Sequence, residues 1–404
     1  MGIDYESVRR IEVADVYKAG RLAGQLKRAD NAVTFTYLPE YLADGVPVAT
    51  GLPLSTTVRE TSGGAVPPFF AGLLPEGRRL ASLRQAVKTS ADDELSLLLA
   101  VGADPVGDVQ VVAEGAPPAR REPLVTVDKS FAEVRFAEVL AGAGIVDPAA
   151  LPGVQDKGSA KGLSLPVGVA GDRYILKIDP PEHLHIVANE AYFLDVARAA
   201  GIPTTEWDVV TDAEGRSGLL VRRFDRIGHE DGTTDSLACE DACQLLDRWP
   251  ADKYNVSAEA VAQAVARACT APIVAARDVF RLVCFSWLTG NGDFHAKNVS
   301  VLTGPDGERR VAPAYDLPST VPYGDLTLAL SVGGRTSGIS RRRLVAFGER
   351  IGIRERASIS VIDELLAATA DVVDQLQGGH LPFSDQVNRC LARELRNRRR
   401  LLEG

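Results

Sequence analysis

The first part of the chain carries short apolar segments of two periodicities, which predict a small α+β module. Runs of β-branched and aromatic residues separated by turn-forming residues favour strands, and leucines and valines then recur at helical spacing. The predicted elements are strands at 13–17, 33–37 and 109–112 and helical segments between Leu80 and Leu99. We expect the module to span residues 1–115, with residues 66–77 as an apolar link and residues 114–123 as the linker that follows.

From Leu124 the pattern becomes that of a β-rich lobe with a lysine inside it. Lys177 lies within an apolar run typical of a strand, and burying a lone ammonium is costly. The helix predicted from Val187 to Gly201 offers a partner, Glu190, in its first turn. Kinases hold the lysine that binds ATP phosphates with such a strand–helix pair, and an incidental surface pair is the alternative. Other elements predicted here are a helix at 131–141 and strands at 173–178, 207–210 and 217–221.

Beyond Arg226 the chain is mostly helical. The predicted helices cover residues 240–246, 258–270, 274–289, 341–351, 358–377 and 383–402. This order predicts an α+β fold with a two-lobe, protein-kinase-like core, made of a β-rich N-lobe at 124–226 and an all-helical C-lobe at 227–404. ATP would bind in the cleft between the two lobes.

The densest candidate chemistry lies in residues 291–302, between an apolar helical segment and a short β-prone run. Asp293 is spaced to act as a general base, and Asn298, five residues on, could bind a magnesium ion through its amide oxygen. Asp316 adds a second carboxylate after another short β-like run. These groups in this order are the parts of a phosphoryl-transfer site, and hard oxygen ligands suit Mg²⁺. The alternative is a polar turn in which Asp293 acts as a cap.

A stretch with several glycines and lysines, residues 151–162, is a weaker candidate for binding phosphate. Its glycines let backbone amides approach a phosphate, and its lysines supply positive charge. It lacks the Gly-Lys-Ser/Thr spacing of a Walker A loop. A flexible hairpin turn is the alternative.

Composition narrows the class of protein without identifying a function. The 404 residues are 45% hydrophobic and 25% charged, as in ordinary soluble globular proteins, and the net charge of −9 argues against a dedicated nucleic-acid surface. The arginines at 396–400 end a predicted helix, and cations are favourable there because of the helix dipole. We therefore expect them to cap the helix and to contribute to solubility. The five cysteines have no spacing suited to a disulfide framework, and we expect reduced, mostly buried thiols.

The chain shows no feature of a secreted or membrane protein. Its first residues are charged and no apolar signal segment follows them. No run approaches the ~18 consecutive apolar residues that a membrane-spanning helix needs. We therefore expect a cytoplasmic protein.

Taken together, these segments resemble the HipA family of bacterial toxin–antitoxin serine/threonine kinases. The motifs that carry the resemblance run in family order over nearly the whole chain, and each is only modest evidence alone. They are Phe69 to Gly77, Gly153 to Lys157, Ile175 to Lys177, Asn189–Glu190, Arg223 to Arg226, Glu240 to Gln244, Asp293 to Asn298 and Tyr315–Asp316. The resemblance implies a small β-rich N-terminal module attached to a kinase-like core.

The resemblance also implies roles for individual residues. Lys177 would hold the phosphates of ATP, and Glu190 would orient that lysine. Asp293 would accept the proton of the substrate hydroxyl. Asn298 and Asp316 would bind Mg²⁺.

The resemblance also implies roles for residues of the catalytic loop, the phosphate loop and the hinge. His295 would brace the catalytic loop rather than transfer protons, and Lys297 would touch the γ-phosphate or the substrate. The phosphate loop would consist of Gly153, Val154, Gln155 and Lys157, and the backbone of Arg222, Arg223 and Phe224 would meet adenine at the hinge between the lobes.

The family's partners and regulation follow from the same resemblance. The phosphoacceptor would be a serine or threonine of a protein, with aminoacyl-tRNA synthetases as known targets of the family. A small helix-turn-helix antitoxin that binds operator DNA would be the partner, so DNA would be contacted only indirectly. The family often carries an autophosphorylated serine just before the phosphate loop, but here no Ser or Thr occurs between Ser130 and Ser159. We therefore expect this autoinhibitory site to be missing.

Two other functions remain open at this point. A kinase of a lipid or small molecule would share the lobe architecture, although the chain lacks a basic amphipathic stretch for a membrane surface. A nucleotide-binding co-repressor would act on DNA together with the antitoxin and need no catalysis. The complete set of candidate catalytic residues argues against this second alternative.

Overall fold

A computed structural model of the chain describes residues 7–29, 32–102, 104–118, 125–142, 163–169, 172–180, 182–229 and 233–403. In these residues we distinguish an N-terminal module (7–118), a β lobe (125–222) and a helical lobe (226–403). Each of the two five-stranded sheets lies within one of the sequence-predicted segments. The boundaries between the segments themselves stay predictions.

The N-terminal module is an antiparallel sheet backed by short helices. Its strands are β1 (Val13–Lys18), β2 (Arg21–Ala29), β3 (Ala32–Tyr37), β4 (Arg59–Ser62) and β5 (Val109–Ala113), in the order β4-β3-β2-β1-β5. Its helices are α1 (Pro39–Leu42), α2 (Pro68–Ala71), α3 (Gly77–Val87) and α4 (Glu94–Val101). Alternate residues of β3 face the core, where the rings of Phe35 and Phe70 lie 5.2 Å apart.

Two features of this module differ from the expectation. Residues 66–77 are not a simple link, because they contain α2, whose Phe69 and Phe70 are buried in the module core. The sequence also does not predict β2, because Arg21–Ala29 contains no β-branched residue. Its strand conformation follows from pairing with β1 and β3 on both sides.

The β lobe holds Lys177 on a central strand. Its elements are β6 (Val125–Val127), α5 (Phe136–Gly142), β7 (Leu163–Val169), β8 (Asp172–Ile178), α6 (Ile186–Ala199), β9 (Trp207–Thr211) and β10 (Ser217–Arg222). The sheet order is β6-β7-β8-β10-β9, with β6 parallel to β7 and the other neighbours antiparallel. The helix predicted at 131–141 begins later, as α5, after a short 3₁₀ turn. The strands β6 and β7 were not predicted.

The helical lobe is built around one long buried helix, α9, and also contains short strands. Its helices are α7 (Ala242–Leu245), α8 (Ala258–Ala268), α9 (Pro272–Thr289), α10 (Arg341–Arg350), α11 (Glu355–Ala368), α12 (Val372–Gln377) and α13 (Asp385–Glu403). Its strands are β11 (Arg226–Gly228), β12 (Thr234–Ser236), β13 (Cys239–Asp241), β14 (Ser300–Thr303) and β15 (Arg309–Val311). The predicted helix at 240–246 is therefore partly strand. Residues 291–302 are called the catalytic stretch below. Pairing of β13 with β14 sets Asp241 opposite Ser300 and so fixes the end of this stretch.

The arginine cluster at 396–400 does more than cap a helix, so the interpretation as capping and solubility is incomplete. Arg398 is only 1% exposed and stacks its guanidinium over Trp287 of α9, 4.4 Å from the ring centroid. It also donates hydrogen bonds to the carbonyls of Trp287 and Leu326 and pairs with Glu394. This arginine therefore fastens α13 to the core of the helical lobe.

The thiols match the expectation. Cys239, Cys243, Cys269 and Cys284 are buried and unpaired to one another, and Cys390 is exposed. Burial raises the pKa of Cys243 to about 12 and that of Cys269 to about 11, so both thiols stay protonated near neutral pH. In the part of the chain that the structure describes, no helix is long and apolar enough to cross a membrane.

A buried ion cluster joins the N-terminal module to the segment that follows β10. Arg223 pairs with Asp104 and Asp225 at 2.9 Å each, and Arg226 pairs with the same two carboxylates at 2.7 and 2.8 Å. The backbone N–H of Gly107 also donates to Asp225. Burial alone would raise the pKa of Asp225, but the two guanidiniums hold it far below its ordinary value.

We expect Asp225→Asn to destabilise the protein by about 3 kcal/mol, because removing one member leaves buried guanidiniums without their full complement of charge. Urea unfolding measures this loss. Asp247→Asn is the matched control, because it breaks another ion pair with the module, to Arg59, whose side chains are 43% and 41% exposed. It should cost less than about 1 kcal/mol, and equal losses in both variants would contradict a special contribution of the buried cluster.

The same cluster should make the free energy of unfolding depend on pH in the acidic range. Because the pKa of Asp225 is lower in the folded protein, the unfolded chain binds more protons at this site once the pH falls below about 4. The free energy of unfolding should therefore decrease with falling pH, and Asp225→Asn should show a flatter decrease.

Candidate functional site

Lys177 of β8 forms ion pairs with two carboxylates that come from different parts of the chain. Its Nζ lies 2.6 Å from Oε1 of Glu190 on α6 and 3.0 Å from Oδ1 of Asp316, in the loop after β15. The side chain of Lys177 is 13% exposed and that of Glu190 is 5% exposed. The strand–helix ion pair expected from the sequence is thus present, and Lys177 also pairs with a carboxylate of the helical lobe.

Burial and charge act in opposite directions on this group of residues. Burial would lower the pKa of Lys177, but the carboxylates of Asp316 and Glu190 raise it above its ordinary value, so the ammonium is charged. Burial raises the pKa of Glu190, and the Lys177 ammonium opposes that increase. The lysine is therefore the counter-charge that makes two carboxylates tolerable at this depth.

Asn291 ties the two candidate acidic residues together. α9 ends at Thr289, and Gly290 adopts a left-handed conformation (φ +72°) that turns the chain into the catalytic stretch. The side-chain amide of Asn291 donates to the carbonyl of Asp316 at 3.3 Å and accepts from the backbone N–H of Asp293 at 3.0 Å. Asn298 in turn donates its amide N–H to the carbonyl of Asp293 at 2.9 Å. The structure thus brings Asp293, Asn298 and Asp316 into one hydrogen-bonded network.

Asp293, the candidate base, is buried and receives a hydrogen bond that the sequence did not reveal. The hydroxyl of Tyr254 donates to its Oδ1 at 2.6 Å. The ring of Tyr254 also lies edge-on to that of His295, with centroids 5.1 Å apart. Tyr254 precedes the catalytic stretch by 39 residues, so no local spacing could have pointed to it.

His295 and Lys297 lie within the same stretch but face protein groups. His295 is 2% exposed, and its carbonyl accepts from the N–H of Asn298, which is consistent with a bracing role. The Nζ of Lys297 lies 3.0 Å from the carbonyl oxygen of Gly72 and 3.1 Å from Oδ2 of Asp241. Their predicted catalytic roles stay predictions.

Asn298 and Asp316 each offer an oxygen atom that could bind a hard cation. The NH₂ group of Asn298 is committed to Asp293, which leaves its amide oxygen as the group that can bind a metal. The side chain of Asp316 is 27% exposed, and its oxygen is a preferred ligand of Mg²⁺. In the part of the chain that the structure describes, no cluster of three His, Cys, Asp or Glu side chains offers a metal site of another type.

Comparison with known proteins decides the family. Residues 149–373 match the model of the HipA-like C-terminal domain, and residues 14–112 match that of the HipA N-terminal domain. The chain belongs to the HipA family.

Relatives and a solved structure agree with this assignment. Putative kinase Y4dM of Sinorhizobium fredii is 31% identical over 327 residues, which cover 74% of either chain. Putative kinase Y4mE of the same organism is 29% identical, covering 81% of this chain and 82% of that relative. The serine/threonine-protein kinase toxin HipA of Shewanella oneidensis is 26% identical, covering 84% of this chain and 83% of the toxin.

The fold is also that of a solved HipA structure. The Shewanella oneidensis complex of HipA, HipB and operator DNA gives a TM-score of 0.76 at 23% identity and covers 97% of each chain. The predicted family and the predicted fold class are thereby confirmed, with the addition that short strands accompany the helices of the second lobe.

In this HipA-family chain the three predicted hinge residues lie together at the end of β10. The backbone N–H of Arg223 donates to the carbonyl of Arg173, and the side chain of Arg222 pairs with Glu206 and Asp172. The ring of Phe224 lies 5.5 Å from that of Tyr315, the residue before Asp316. The predicted hinge is thus in contact with the loop that carries Asp316, and its role in binding adenine stays a prediction.

The predicted phosphate loop cannot be placed in the same way. Gly153, Val154, Gln155 and Lys157 lie outside the described residues, as do residues 148–152 just before them, where the family often carries the autophosphorylated serine. Their roles stay predictions.

We expect Lys177→Met to make stability fall as the pH rises. Without the ammonium, the buried Glu190 carboxyl should have a still higher pKa, so the folded protein binds more protons than the unfolded chain above about pH 4. Each unit of pKa increase costs about 1.4 kcal/mol at neutral pH. Urea unfolding at pH 5 and pH 8 measures this slope.

The double variant Lys177→Met/Glu190→Gln is the control for this experiment. It removes the titrating carboxyl, so its stability should depend less on pH than that of Lys177→Met. Parallel pH curves for the single and double variants would show that Glu190 is not the responsible group.

Proposed function

We propose that this chain is an ATP- and Mg²⁺-dependent serine/threonine protein kinase. The observation that carries the proposal is the lysine of the β lobe, held by a helix glutamate and in contact with the carboxylate of Asp316. Through the side chain of Asn291 the backbone carbonyl of Asp316 is linked to the backbone N–H of Asp293, whose carbonyl accepts from Asn298. This is the set of groups that kinases use to position ATP and accept the proton of a hydroxyl.

Each residue then has a definite task. Lys177 binds phosphate oxygens, and Glu190 keeps the ammonium in place. Asn298 and Asp316 hold Mg²⁺, which when bound offsets the negative charge of the phosphates. Asp293 accepts the proton of the attacking serine or threonine hydroxyl, while the hydroxyl of Tyr254 donates to its Oδ1 and holds the carboxylate in place.

The relatives support a role in a toxin–antitoxin pair. One is named a serine/threonine-protein kinase toxin, and the solved HipA of similar fold is in complex with HipB and operator DNA. We propose that this chain is likewise a cytoplasmic toxin, restrained by a HipB-like helix-turn-helix antitoxin through which it associates with DNA. Its substrate would be a component of translation such as an aminoacyl-tRNA synthetase.

We expect Asp293→Asn to lose phosphoryl transfer while still binding ATP. Purified protein is incubated with radiolabelled Mg²⁺-ATP and host lysate, and labelled bands are subjected to phosphoamino-acid analysis. Loss of the general base should reduce labelling by about 10²- to 10⁴-fold. Phosphoserine or phosphothreonine in a band labelled by the wild type alone would identify the substrate.

Two controls separate failure of the proposal from failure of the protein. Asp306→Asn replaces an exposed carboxylate in the turn before β15 and should leave labelling unchanged. If the wild type binds ATP but labels no protein, the kinase proposal fails. DNA binding with the antitoxin would then support the co-repressor, and labelling of a lipid or small molecule would support the other alternative.

Tyr254→Phe should lower kcat by about tenfold and leave the KM for ATP nearly unchanged. The lost hydrogen bond is to a charged group and holds the base in place, and such a bond contributes about 1.5–3 kcal/mol. Steady-state kinetics with the substrate identified above measures both constants. A variant with unchanged kcat would show that the Tyr254 hydroxyl does not help to orient Asp293.

A further inference from the structure

A short segment of the N-terminal module, residues 68–77, lies directly against the catalytic stretch. The carbonyl of Phe69 accepts a hydrogen bond from the side chain of Gln244 on α7 at 2.9 Å. Gly72 packs so closely against this glutamine that a Cβ atom there would lie 2.8 Å from it. The contact therefore needs glycine for reasons of space, and the segment is firmly docked on the helical lobe.

This segment supplies two of the oxygen atoms around Lys297. The ammonium lies 3.0 Å from the carbonyl oxygen of Gly72 and 3.5 Å from Oε1 of Glu76, both in the module. The third oxygen, from Asp241, belongs to the residue that caps α7. The side chain of Lys297 is 12% exposed, so these contacts act with little screening by water.

Glu76 also pairs with a second lysine, Lys253, on the other side of the catalytic stretch. The backbone carbonyl of Lys253 accepts from the N–H of Ala296, and the next residue is Tyr254, whose hydroxyl reaches Asp293. A single carboxylate of the module thus holds two lysines. One lies within the catalytic stretch and the other is next to the residue that orients its base.

We propose that Glu76 is a positioning residue of the active site, through which the N-terminal module fixes the catalytic stretch by way of Lys297 and Lys253. The inference rests on the proposed kinase function. It makes the module a part of the catalytic unit, in addition to any role in binding partners. Glu76 acts on the site through these two lysines.

Chemical labelling of Lys297 tests the contact without requiring activity. Glu76, Asp241 and the carbonyl of Gly72 hold the ammonium of Lys297, whose side chain is only 12% exposed. Glu76→Gln should therefore weaken this contact, so that Lys297 of the full chain reacts faster with acetic anhydride than in the wild type. Mass spectrometry gives the rate for each lysine, and Lys177, which Glu76 does not contact, is the internal reference.

Kinetics on the same variant tests the consequence. Glu76→Gln should reduce kcat by about 10- to 100-fold, as for other small displacements of catalytic groups, with little change in the KM for ATP. Asp247→Asn is the matched control, since it also removes one carboxylate from the contact between the module and the helical lobe, at an exposed ion pair with Arg59. It should leave both the reactivity of Lys297 and kcat at the wild-type values.

The outcomes can be told apart. Unchanged reactivity of Lys297 in Glu76→Gln, or increased reactivity with unchanged kcat, overturns the positioning role. Equal loss of kcat in Glu76→Gln and Asp247→Asn overturns it as well, because docking of the module alone would then explain the effect. A wild-type chain that transfers no phosphate contradicts the proposed function instead, and labelling then decides by itself whether Glu76 holds Lys297.

Discussion

One buried ammonium connects the two lobes of this protein. Lys177 neutralises Glu190 of its own lobe and Asp316 of the other, and the buried carboxylate of Glu190 would be costly without it. The pair with Asp316 spans 139 residues of sequence, and the two oxygens lie within 3.0 Å of one nitrogen. Because these ion pairs need residues of both lobes, the site is complete only when the two lobes are packed against each other.

The N-terminal module is bound to this core by charge rather than by a large shared apolar core. The main apolar clusters of the module and of the helical lobe are separate sets of residues. Apart from Trp249 of the helical lobe, which packs against the module cluster, polar contacts join them: Asp104 with the two buried arginines after β10, and Glu76 with the two lysines beside the catalytic stretch. Because buried ion pairs demand specific geometry, such contacts set orientation more than they add stability. The module therefore meets the core at both the hinge and the catalytic stretch.

The sequence predicts the local parts of this arrangement and misses the long-range ones. Lys177 and Glu190 are predictable because a charged residue in an apolar strand needs a partner, and the following helix offers one in its first turn. The strand β2 is not predictable from residue propensities, because pairing with a strand on either side makes Arg21–Ala29 a strand. The proposed roles of Glu76 and Tyr254 are not predictable from local spacing. They depend on the contact of Glu76 with Lys297, 221 residues away, and of Tyr254 with Asp293, 39 residues away. Arg398 could not be predicted to be buried because an arginine at a helix end is ordinarily solvated, whereas here the ring of Trp287, two backbone carbonyls and Glu394 compensate for its burial.

The backbone at Asp316 shows how the site keeps its geometry before any ligand binds. Asp316 has a φ of +59°, a left-handed conformation that costs L-residues roughly 1–2 kcal/mol, although aspartate tolerates it better than most. The hydrogen bond from Asn291 to its carbonyl and the ion pair with Lys177 offset this cost from two sides. Asn291 is itself fixed by the N–H of Asp293, so the conformation of one candidate acid is coupled to the position of the other. Backbone strain of this kind is often retained at functional sites, and it therefore agrees with the catalytic site proposed for this loop better than with a simple turn.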